Sequence, residues 1–108
     1  SLTAANGEPK GAYVQLNWRN KYNIDRLDLW LFTDNSASRI PKKVEISYKN
    51  VNGEYVVVPY ISTTAVSYTA GPTKYTLNQV VNTDSMRIYM QQLELGKCIG
   101  LTEVKIYE

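Results

Sequence analysis

Within residues 24–32, which read IDRLDLWLF, Leu27, Leu29 and Leu31 alternate with Asp28, Trp30 and Phe32. A two-residue period sends successive side chains to opposite faces, so it specifies a strand with one buried face and cannot serve a helix. The same period returns three times. Val14, Leu16 and Trp18 alternate with Tyr13, Gln15 and Asn17; Val44, Ile46 and Tyr48 alternate with Glu45, Ser47 and Lys49; Met86, Ile88 and Met90 alternate with Arg87, Tyr89 and Gln91. No longer stretch repeats at 3.6 residues. Short strands at near-regular spacing predict an all-β chain, an antiparallel sandwich or barrel.

The pattern places strands at residues 13–18, 24–32, 42–49, 54–60, 74–80, 85–93 and 101–107. Pro41 lacks an amide hydrogen and suits a strand start, and Pro59 marks an edge or a strand end. Residues 50–53, Asn-Val-Asn-Gly, read as a tight turn whose Asn-Gly pair tolerates positive φ. Residues 19–23 and 82–84 read as further turns, and 33–41, 61–72 and 94–100 as long loops. Residues 1–12 form an N-terminal arm or loop, and 13–108 form one domain, the size the chain allows. The chain begins at Ser1, so it is expected to be a piece of a larger protein. If successive strands are antiparallel, the three long loops share one end of the sandwich with the arm, and the short turns share the other. Binding sites favour such loop clusters on a rigid scaffold.

Twelve basic and ten acidic residues leave a net charge of +2. That balance points to neither nucleic acid nor an anionic membrane as partner. The apolar runs are too short to span a bilayer as helices. Cys98 is the single cysteine, which precludes an intrachain disulfide. Without a partner its thiol is expected to be buried or idle. Histidine is absent, which removes the commonest general base and any Ser/His or Cys/His pair. Glu45, Glu54 and Glu103 fall on different strands, and nothing marks a carboxylate pair at glycosidase separation. The expectation is therefore a chain that is not itself an enzyme. Nine tyrosines and two tryptophans fit strands and a recognition surface instead.

From Tyr13 onward the segments AYVQLNW, NIDRLDLWLFTD, RIPKKVEISYKN, GEYVVV, MRIYMQQ and GLTEVKIYE resemble the discoidin, or coagulation-factor type C, domains. They are similar above all to the galactose-binding-like modules appended to bacterial glycoside hydrolases. The resemblance implies a β-sandwich of jelly-roll type with its ligand site in loops at one end. It implies a non-catalytic carbohydrate-binding accessory module that directs a parent enzyme, such as a β-galactosidase, to galactose-type, plant or host glycans. Such a module would be secreted, periplasmic or at the cell surface. In sugar-binding members an arginine and an asparagine after the second core strand contact hydroxyls, and an aromatic from another loop stacks on the ring. The corresponding residues here are Asp34, Asn35 and Arg39, with Tyr68 as the aromatic and Lys97 on the third loop. Glu103 matches a glutamate that helps hold calcium in some members, so the resemblance allows a structural calcium.

Each of these residues has a plainer role open to it. Asp34 and Asn35 suit a turn by themselves, Arg39 and Lys97 suit solvated charges, and Tyr68 can plug the sandwich end. Trp30 and Phe32 face away from the core leucines, under the arm or a neighbouring domain. Trp18 faces the core. Lys42, Lys43 and Lys49 suit a solvated strand edge. The alternative function is a structural or protein-interaction module that packs against its parent enzyme without binding sugar.

Overall fold

The computed structural model describes residues 11–34, 38–91 and 98–108; at 38, 39, 98 and 99 it describes the backbone alone. Seven strands form a single sheet folded on itself: β1 (Gly11–Phe32), β2 (Ser38–Arg39), β3 (Lys43–Lys49), β4 (Tyr55–Val57), β5 (Tyr60–Ser62), β6 (Thr73–Gln91) and β7 (Cys98–Tyr107). A 3₁₀ turn, Tyr68–Ala70, precedes β6.

β1 and β6 are the spine. They pair antiparallel from Gly11↔Gln91 to Asn17↔Ser85, then from Tyr22↔Thr83 to Ile24↔Val81, then from Arg26↔Thr76 to Leu29↔Thr73. Between the first two runs, residues 18–21 of β1 oppose only Asp84; between the second two, residues 77–80 of β6 oppose only Asp25. Extra residues on one strand bend a ladder and increase its twist. The two irregularities fold the ribbon over, so that its halves lie in different layers. The front layer holds residues 11–17 of β1, 85–91 of β6, then β3 and β4. The back layer holds residues 26–32 of β1 between β7 and the start of β6, with β5 beside β6. β2 adds a short parallel pair to β7; among the described residues the other strand-to-strand pairings of the β-sandwich are antiparallel.

The core lies between the layers. Leu27, Leu29, Leu31, Tyr75 and Leu77 from the back meet Val44, Ile46, Met86, Ile88 and Met90 from the front. The alternating positions of the sequence are the ones that interdigitate. Trp18 is half-buried at the fold of the ribbon, where its indole N–H donates to the Thr83 carbonyl at 3.0 Å.

Four expectations change. Residues 19–23 and 82–84 are not turns between separate strands; they lie within β1 and β6 and form the corner of the folded ribbon. Their polar side chains tie the corner together: the Asn82 amide donates to the Asn23 side-chain oxygen at 3.0 Å, and buried Thr83 donates to the Lys49 carbonyl of β3 at 2.8 Å. The expected strand at 54–60 is two strands. At Val58 and Pro59 the chain leaves the front layer, where Val58 N–H still bonds the Ile46 carbonyl at 2.9 Å, and joins the back, where Asn78 N–H bonds the Pro59 carbonyl at 3.0 Å. β7 starts at Cys98, inside the expected third loop. Asp28, on the outward face, is buried (3% exposed) because Arg26 lies over it, Nε 3.4 Å from its carboxylate, while the same guanidinium stacks on Tyr107 at 3.8 Å.

The grouping of loops by parity holds among the described residues. The parallel bridge Leu31↔Ser67 and the ring contact of Phe32 with Tyr68 bring residues 33–34 and 61–72 together. The turn at residues 50–53 joins the ribbon corner at the opposite end through Thr83 and Lys49.

Candidate functional site

Asp34 is exposed just beyond β1, and Tyr68, 43% exposed, rests on Phe32 with ring centroids 5.7 Å apart. Both lie at the loop end. Arg39 pairs through its backbone with Ile99; its side chain lies outside the described structure, as do Asn35 and Lys97 altogether. Glu103 is exposed on β7 opposite Trp30, away from Asp34 in the register. Among the described residues no three carboxylate, histidine or cysteine side chains converge to hold a metal. Trp30 and Phe32 are half-buried by their own chain: the Lys105 ammonium sits 5.3 Å from the Trp30 ring centroid, and Tyr68 covers Phe32.

A more fully constructed array stands on the outer face of the front layer. Alternation turns Tyr13, Gln15 and Asn17 of β1 outward, and the register sets them beside Tyr89, Arg87 and Ser85 of β6. β3 adds Glu45 and Ser47 opposite Tyr89 and Arg87, and β4 adds Tyr55. The Arg87 guanidinium carbon lies 3.7 Å from the Tyr55 ring centroid and 5.3 Å from that of Tyr13. Its Nε donates to Gln15 Oε1 at 2.9 Å, and Gln15 Nε2 donates to Asn17 Oδ1 at 3.1 Å. Ser85 Oγ also donates to Asn17 Oδ1, at 2.7 Å. The 2.7 Å contact between Tyr55 and Ser85 is then donated by the tyrosine hydroxyl. One chain of hydrogen bonds thus links three strands, β1, β6 and β4, and holds the groups it joins in place. Tyr89 lies against Gly11, where a methyl group would overlap its ring. The glycine lets the tyrosine lie down over the strand.

Tyr13, Glu45, Ser47, Arg87 and Tyr89 line a shallow groove of about 190 Å³. That is smaller than the closed pockets that engulf a small ligand. Flat aromatic faces receive C–H surfaces, and planar amide and guanidinium groups pair with two oxygens at once. Such an array has the groups that can receive and orient a polar ring. The outward alternation of Tyr13, Gln15, Asn17, Arg87 and Tyr89 was visible in the sequence; that β1 and β6 lie side by side was not.

No family model matches the chain, and no curated protein matches it. Among solved structures it superposes on a chain of the β-galactosidase BgaA of Streptococcus pneumoniae. The TM-score is 0.71, with 16% identity over 96% of this chain and 73% of that chain. The two chains share a β-sandwich fold.

Proposed function

We propose that the chain is a non-catalytic carbohydrate-binding module, an accessory domain of a larger bacterial glycoside hydrolase that acts outside the cytoplasm. The observation that carries the proposal is the Tyr13–Arg87–Tyr55 stack, wired through Gln15, Asn17 and Ser85 on an open sheet face. The shared fold with a chain of a β-galactosidase and the resemblance to discoidin-type modules both support it. A shallow face binds weakly on its own; tethered to an enzyme, it raises the effective concentration of catalyst at the glycan. Asp34 and Tyr68 at the loop end, together with Asn35, Arg39 and Lys97 as the sequence offers them, are the alternative site for the same activity.

Titration of the domain with galactose, N-acetylgalactosamine, arabinose and plant oligosaccharides, followed through backbone amide shifts, tests this. The expected shifts fall on Tyr13, Gln15, Asn17, Tyr55 and Arg87, and Tyr55→Ala abolishes them. Shifts confined to Asp34 and Tyr68 would move the site to the loop end. Silence across the panel at high sugar would overturn carbohydrate binding and favour a module that packs against its parent enzyme.

A further inference from the structure

We propose that the open face of the front layer selects acidic glycans, with Arg87 as the receptor for a carboxylate or sulfate on the saccharide. This rests on the carbohydrate-binding function proposed above and names the ligand class for the same site. The other described cations around this face are already paired: Lys43 lies 3.8 Å from Glu45, and Lys49 lies 3.3 Å from Asp84. Arg87 is half-buried between two tyrosine rings and has no carboxylate within ion-pair distance among the described residues. Its Nε is committed to Gln15, and its two terminal nitrogens have no acceptor among the described residues. These nitrogens are the prongs that match two oxygens of a carboxylate or sulfate.

Charge bookkeeping at the groove points the same way. A sugar ring laid on Tyr13 or Tyr89 displaces water from the guanidinium. A neutral hydroxyl returns little of that lost hydration, whereas an anion returns a charge-assisted pair in a partly water-excluded place. Glu45 lines the other side of the groove. It repels an anion from the Tyr89 side and so directs the acidic group towards Arg87 and Tyr55. With ring-to-guanidinium distances of 5.3 and 3.7 Å, Tyr13 and Tyr55 lie within about 9 Å of each other. An oligosaccharide can therefore rest on one ring while its acidic unit meets Arg87.

The test is calorimetry with oligosaccharides of matched length that are neutral, uronate-bearing or sulfated, at low and high salt. The expected result is binding about tenfold tighter for at least one acidic series, with the margin shrinking as salt rises. Comparing the uronate and sulfate arms identifies the anion. Arg87→Gln, which keeps a planar hydrogen-bonding group without the charge, is expected to erase the margin, and Arg87→Lys to restore part of it. Equal affinity for neutral and acidic chains, or a margin that survives Arg87→Gln, would overturn the proposal while leaving carbohydrate binding standing. Binding to none of the saccharides would remove both.

Discussion

Tyr75 shows what a single buried residue contributes. Its ring sits edge-on to Tyr60, centroids 5.0 Å apart, at 3% exposure between the layers. Burial, and secondarily the charge of Tyr60, push its phenol from 10.0 up to about 12. Tyr60, whose hydroxyl donates to the Val44 carbonyl, is raised as well, by burial first and then by Glu45. The unfolded chain therefore loses these protons at lower pH than the folded one. Between about pH 10 and about pH 12 the folded state binds more protons, so its stability falls as pH rises through that window. Below it both states are protonated and the contribution is complete. Tyr75→Phe keeps the ring and removes the titration. Urea midpoints at about pH 8 and about pH 11 are expected to differ less in the variant than in the parent. A tyrosine among strand residues was legible as a strand former; its burial followed only from which layer β6 enters.

At the scale of elements, the turn between β3 and β4 was read correctly because its chemistry is local. Gly53 takes φ of 81°, and the Asn50 side chain accepts from the amides of Asn52 and Glu54 at 2.9 and 3.0 Å. A side chain that satisfies two backbone donors competes well with any alternative path. Asn50→Ala is expected to cost about 1 kcal/mol, measured by chemical denaturation, with the fold unchanged. The ribbon corner was misread for the complementary reason. Asn20, Asn23, Asn82 and Asp84 carry turn chemistry, yet they decorate a bend within strands whose partner lies about sixty residues away in sequence, as in the Asn82–Asn23 contact. Turn formers serve a reversal and a bulge equally, because both expose unpaired backbone.

The whole molecule depends on one core shared by two layers. Ile88 is fully buried, stands between β1 and β3 in the front layer, and packs in the cluster that contains Leu27, Leu29 and Leu31. Ile88→Ala is expected to cost about 2–5 kcal/mol, with both layers lost in one transition seen alike by far-ultraviolet and tryptophan signals. Separate transitions would show that the folded ribbon does not couple its halves.

The amino-acid sequence by itself determined the strand type, the inward side of most strands and the hairpin at Asn50, because alternation and turn chemistry act over a few residues. It also placed Asp34 and Tyr68 at the loop end through strand parity. Only the tertiary structure decided that β1 and β6 fold over as one ribbon, that Asp28 is buried beneath Arg26, and that Tyr13, Gln15 and Asn17 stand beside Arg87 and Tyr89. Those outcomes depend on long-range register, which hydrophobic burial selects collectively and no local stretch encodes.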